Sequence, residues 1–256
     1  GKGDAETQKI LGTFNRDPGF KVVVPPLKFL VTAEYQGKIM EYKEFGSYVE
    51  RFVTLPKGTD PKKITSAVVV DSDGRIKQVP TRIIFSSVSG QYSAVVRTLT
   101  NQTFALVTHK VEFPDVANRW SKEAVNDMGS RMIISGINGL FYPDRSITRA
   151  EFVSIMVNAL GLPAKDIDTD YSDLELSRWF TPYAETAISY GLAGGISQTR
   201  FGATDNVNRQ QAMNMIARAM QFTGIYPKMS NSEVDVILSK YTDSDQISEY
   251  ARISVA

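Results

Sequence analysis

Two stretches of this 256-residue chain place an arginine just inside what reads as a helix start: Thr148-Arg149-Ala150-Glu151 and Asn208-Arg209-Gln210-Gln211. Thr-x-x-Glu before an apolar run is a capping box, in which the hydroxyl accepts from the N3 amide and the carboxylate reaches back to the N-cap amide. Asn208 and Gln211 can do the same. The outer residues are therefore explained by helix initiation alone, but the arginines are not. A cation in the first turn opposes the helix dipole, at a cost of about 0.3–1 kcal/mol. An anion gripped by a guanidinium fork and free first-turn amides would account for the placement; a surface ion pair with a nearby Asp is the alternative.

Other chemistries find few carriers. There is no cysteine and one histidine, His109, so thiolate zinc sites, cysteine nucleophiles, disulfides and multi-histidine metal centres are excluded within the chain. His109 lies in an alternating segment, Phe104 to Val111, and reads as an ordinary strand residue, with no Gly-x-Ser-x-Gly motif elsewhere. Gly-rich phosphate loops are absent. Asp71-Ser72-Asp73-Gly74 resembles the start of a calcium loop but lacks its further oxygens, and reads as a hairpin turn. No metal, cofactor or catalytic residue is assigned. Net charge is +1, which argues against a nucleic-acid binder, and no apolar run approaches the length of a membrane span. The start, Gly1-Lys2-Gly3-Asp4, has no initiator Met or apolar leader and reads as a piece of a longer protein.

The elements that must position these residues fall into two halves. Residues 1–111 hold 16 Lys/Arg and 10 Asp/Glu, the remainder 13 and 18. From Lys21 to Lys110, about seven short β-branched and aromatic runs bounded by Gly, Pro, Asp or Asn predict a β-sandwich of immunoglobulin-like architecture, with Gln36-Gly37 and Asp73-Gly74 as hairpin turns. From Glu112 the apolar period becomes helical, as in Phe152, Ile155, Met156, Ala159 and in Met213, Ile216, Ala217, Met220. Ahead of both, a short helix around Gln8 to Leu11 is followed by a linker, Asn15-Arg16-Asp17-Pro18-Gly19.

The second half repeats itself. Phe113-Pro114-Asp115-Val116 matches Tyr171-Ser172-Asp173-Leu174, Trp120 matches Trp179, and Thr148-Arg149 matches Asn208-Arg209, at an offset near 60 residues; a third start appears at Tyr241-Thr242-Asp243, followed by Tyr250. These residues, with Gly136-Ile137-Asn138-Gly139-Leu140-Phe141-Tyr142-Pro143-Asp144 and Ile147-Thr148-Arg149-Ala150-Glu151-Phe152, closely resemble the S-layer homology (SLH) domain. The β-rich half is similar to domains that precede such repeats in Gram-positive surface proteins.

The resemblance implies an all-α module, a three-pronged pseudo-trimer whose first helices form a central bundle, following the all-β sandwich. The expected division is 1–19 linker or tail, 20–111 sandwich, 112–162 and 163–224 two SLH repeats, and 225–256 a linker with the first helix of an incomplete third. It implies an extracellular module, not an enzyme, that anchors a surface protein to the cell wall by binding an anionic secondary polysaccharide, commonly pyruvylated. Rival readings are a protein–protein or S-layer lattice module, through self-association or complementation of the third repeat, and a wall-polymer glycoside hydrolase. The candidate ligand-binding residues are Arg149, Arg209, Asp115, Asp173, Trp120, Trp179, Gly136, Gly139, Gly194, Gly195, Asp243 and Tyr250. Asp115 and Asp173 equally suit turn or cap formation. The two tryptophans suit core packing as well as stacking on sugar rings, and the glycines suit either positive-φ turns or close backbone approach to a ligand.

Overall fold

The computed structural model describes residues 5–14, 19–71 and 74–256. Residues 1–4, Asn15 to Pro18 of the expected linker, and Ser72-Asp73 of the expected hairpin turn lie outside the described residues. The chain forms two compact units, Gly1–Asp144 with Asn158–Pro163, and Arg145–Val157 with Ala164–Ala256.

The first unit opens with α1 (Ala5–Phe14), followed by nine described strands: β1 (Phe20–Phe29), β2 (Thr32–Tyr35), β3 (Lys38–Glu41), β4 (Glu44–Thr54), β5 (Ser66–Val70), β6 (Ile76–Val79), β7 (Thr81–Ser86), β8 (Gln91–Thr100) and β9 (Gln102–His109). They form sheets ordered β1-β9-β5-β6 and β4-β8-β7, plus the hairpin β2-β3. Gln36 and Gly37 turn that hairpin with φ of 50° and 73°, the left-handed pair a tight hairpin requires. β1 runs on through Pro25-Pro26 because it is an edge strand, paired only with β9 and shifted in register on either side of Val24. A missing amide costs nothing at such a place. The two larger sheets share one core, in which Val24, Ala67, Phe104 and Leu106 meet Val53, Ala94 and Val96.

The opposite face of the four-stranded sheet is also apolar. Val68, Ala105 and Val107 there bury Ile10 and Phe14 of α1, with Met132 packed alongside. His109 is in this layer, its ring stacked on Phe20 at 4.3 Å between centroids, its Nδ1 2.9 Å from the Ser130 carbonyl.

The helices that follow are α2 (Lys122–Ser130), α3 (Arg149–Leu160), α4 (Thr181–Ser189), α5 (Arg209–Thr223), α6 (Asn231–Leu238) and α7 (Arg252–Val255). The expected division into an all-β sandwich and an all-α module is not observed. The first unit is mixed, because a sheet apolar on both faces needs a helical layer, and it contains α2 of the first repeat as well as α1. Nor is the second half all helix: isolated bridges pair Ile137 with Leu140 and Thr148 with Asn206, and long turn-rich segments separate short helices. The helix of the third start is four residues long against nine in α2 and α4, so the described residues do not supply three equivalent first helices.

Candidate functional site

Each repeat begins by tying its own loop down. The Asp115 carboxylate accepts from the amides of Phe141 and Tyr142 at 3.0 and 2.6 Å. Asp173 accepts from Phe201, Gly202 and Ala203 at 2.8, 2.8 and 3.0 Å. Desolvation pushes both carboxyls up, but the amides outweigh it and hold them below the ordinary carboxylate value. Both aspartates therefore act within the protein, at matching places in the two repeats.

The glycines divide. A Cβ on Gly136 would stand 2.6 Å from the Phe113 ring and one on Gly195 2.4 Å from the Tyr171 ring. These glycines admit the leading aromatic of their own repeat rather than a ligand, and the Gly195 amide also donates to the Tyr171 hydroxyl at 2.9 Å. Gly139, with φ of 78°, serves a turn, whereas a Cβ on Gly194 would meet nothing within 4 Å. The tryptophans are not core plugs: Trp120 is 97% exposed and Trp179 59%, the latter edge-on to Phe180 and Tyr183.

In the second unit, four of the candidate residues, Arg149, Gly194, Gly195 and Tyr250, line one cleft of about 350 Å³ together with Gln211, Asn214, Met215 and Arg218 of α5. Arg149 forms its floor. The residue is 7% exposed, and its guanidinium donates through Nη2 to the Gly194 carbonyl at 2.7 Å and lies over the Phe201 ring at 5.1 Å. Its Nε is buried without a hydrogen-bond partner. Burial draws the group below the usual guanidinium pKa; the Tyr250 phenol opposes that and nearby Arg218 adds to it.

The first-turn amides beside Arg149 are spoken for. Arg149 N donates to Asp205 O and Ala150 N to Ala203 O, both at 2.9 Å, and Glu151 N to Thr148 Oγ1 at 3.3 Å. Glu151 Oε2 in turn accepts from Thr148 N at 2.9 Å, completing the capping box. The expected grip by free amides is thus not available on α3. The cleft offers guanidinium, amide and phenol side chains instead, and none of its lining residues is acidic.

Arg209 lies elsewhere, in a cleft of about 560 Å³ with Asp243, Tyr241 and Ile247. Arg149 and Arg209 therefore do not converge on one site. The segment carrying Tyr250 is held to α5 by polar side chains of that helix. Gln210 donates to Ser248 Oγ at 3.1 Å and accepts from Ser248 N at 2.9 Å, and Asn214 accepts from Ser254 Oγ at 3.0 Å. The missed lining residues Gln211, Asn214 and Arg218 stand at i, i+3 and i+7, a polar stripe legible on a helix read only for its apolar positions.

Two segments, residues 112–153 and 170–213, match the family model described as S-layer homology domain. The chain is similar to an amylopullulanase of Thermoanaerobacterium thermosulfurigenes, 25% identical over 81% of this chain and 11% of that protein. It is also similar to the surface-layer 125 kDa protein of Lysinibacillus sphaericus, 28% identical over 52% of this chain and 10% of the relative. A third relative is the cellulosome-anchoring protein of Acetivibrio thermocellus, 27% identical over 43% and 26%. The chain thus spans between about a tenth and about a quarter of the length of these longer proteins. No described helix is long and apolar enough to cross a membrane. SLH domains are anchoring rather than catalytic modules, and they bind cell-wall components. With two segments that match the S-layer homology domain and surface-layer proteins among its relatives, this chain carries two S-layer homology repeats and is a protein of the cell surface.

Proposed function

We propose that the cleft of the second unit binds an anionic secondary cell-wall polysaccharide, with a carboxylate such as a pyruvate ketal as its charged group, and that this binding fastens the protein to the wall without covalent attachment. One observation carries the reading: a cleft of saccharide size holds two guanidinium groups, Arg149 and Arg218, and no lining carboxylate. Such a cleft favours an anion, since two cations in one concavity repel until a negative group enters. The division of labour follows from burial. Arg149 holds the Gly194 carbonyl and fixes the loop, whereas Arg218 is exposed and presents its fork to the ligand, bidentate to a carboxylate. Gln211 and Tyr250 supply neutral donors for sugar hydroxyls, and the open Cα of Gly194 lets a ring approach the backbone.

Co-sedimentation with purified wall sacculi tests this, before and after chemical removal of the non-peptidoglycan polysaccharide. Binding should be lost on stripping, and Arg218→Ala should weaken it at least tenfold on intact sacculi. Undiminished binding to stripped walls would transfer the ligand to peptidoglycan and overturn the proposal.

A further inference from the structure

The first unit has a concavity of its own that the wall-anchoring cleft does not involve. It has a volume of about 420 Å³ and lies between the 3-10 turn Pro61–Lys63, the start of β7 and the residue that follows α2. Three cations from three separate chain segments line it, Lys62, Arg82 and Arg131, and none of the lining residues is acidic. Neighbouring carboxylates neutralise them only in part. Asp127, one turn back, takes Arg131 Nε at 2.9 Å. Glu50 stands 3.4 Å from Arg82 but is held closer by Arg97, at 2.8 and 2.6 Å. Lys62 makes no ion pair among the described residues. The hydroxyls of Thr65 and Thr81 are turned inward, donating to the carbonyls of Val107 and Val79. Cationic donors are therefore what this cleft presents, two of the three from residues 1–111, which carry 16 Lys/Arg against 10 Asp/Glu.

We infer that this cleft is a second anion site, which takes the phosphate or carboxylate groups of an anionic glycan of the cell envelope. Three same-sign charges from separate segments focus the field in the concavity and concentrate polyanion there. A chain held at two places gains through effective concentration what neither contact supplies alone. The β-rich half then takes part in wall attachment rather than only spacing it. The inference rests on surface location and on this cleft, and not on the ligand assigned to the other unit.

Calorimetry with two probes tests it, a poly(glycerol phosphate) and a pyruvate-ketal oligosaccharide, on the parent chain, on Lys62→Ala/Arg131→Gln, and on two controls, Arg218→Ala and Lys38→Ala/Lys43→Ala. If phosphate is the charged group, the glycerol phosphate polymer binds the parent, the Lys62/Arg131 variant binds it at least tenfold more weakly, and Lys38→Ala/Lys43→Ala keeps parental affinity. If carboxylate is the group, the pyruvylated probe shows a binding event that the Lys62/Arg131 variant loses and Arg218→Ala retains. Should the double variant melt below the parent, Lys62→Glu, an exposed change with no ion-pair partner, must show the same tenfold loss. Absence of binding by both probes, parental affinity in the Lys62 variants, or equal loss in the Lys38/Lys43 control would each overturn the inference. Failure of the wall-anchoring reading would appear separately, as parental wall binding by Arg218→Ala.

Discussion

At the scale of single residues, Arg149 and Arg218 separate two tasks that a sequence motif merges. The cation in the first turn of α3 is offset not by a ligand but by the Gly194 carbonyl and the Phe201 ring. Arg149→Ala should therefore destabilise the protein by about 1–3 kcal/mol, through the lost packing of a buried side chain and a partly buried carbonyl left without its donor, seen as an earlier denaturant midpoint. Arg218→Ala should leave that midpoint in place and lower only wall binding. The loop-tying aspartates predict a pH dependence. Their folded pKa values lie below the unfolded value of about 3.9, so the stability they add is complete above pH ~4 and disappears as pH falls through the lower folded value. Asp173→Asn, which cannot serve three amides with two anionic oxygens, should be less stable than the parent at pH 7. The gap should narrow in acid-unfolding curves as pH falls below the unfolded carboxyl value.

At the scale of elements, each repeat is an aromatic, an aspartate and a glycine acting as one lock. Gly195→Ala must displace the Tyr171 ring and two carbonyls, at 2.5 and 2.8 Å from the new methyl, and should cost about 1–3 kcal/mol. Gly194→Ala, with open space around it, should melt with the parent and reveal any ligand contact as weaker wall binding. Neighbouring glycines with opposite outcomes are a demanding check, because spacing alone cannot tell them apart. Much else was legible. The two capping boxes form with the partners the motif prescribes, and Gln36-Gly37 turns the hairpin it signals. Helix α6, in a segment expected to be linker, was legible too: Ser230-x-x-Glu233 is a third capping box, ahead of Val234, Ile237 and Leu238 at helical spacing. The exposure of both tryptophans was not legible, since an indole's tendency to bury is outweighed here by compact loops already filled by Phe113, Phe141, Tyr171 and Phe201.

At the scale of the whole molecule, the lesson lies in β9. Thr103 to Val107 are five successive buried residues, and a strand with one wet face would alternate. The run Phe104-Ala105-Leu106-Val107 thus announces a sheet covered on both sides, which a sandwich with one solvated face cannot provide. Its second cover is α1, whose Ile10 and Phe14 are 2% and 3% exposed. The N-terminal helix is accordingly part of the first unit's core and not an upstream tail. Phe14→Ala should cost about 3–5 kcal/mol, a loss large against the total stability of roughly 5–15 kcal/mol typical of a domain. Because Phe14 packs on β5 and β9 while the cleft lined by Arg149 and Arg218 is built from residues of the second unit, the damage should be local. Hydrogen exchange should accelerate first in the amides of β9, β5 and β1, while those of α5 keep parental protection. Uniform acceleration across both units would instead mean that they unfold as a single cooperative body, and that α1 stabilises the cleft lined by Arg149 and Arg218 as well as the sheet.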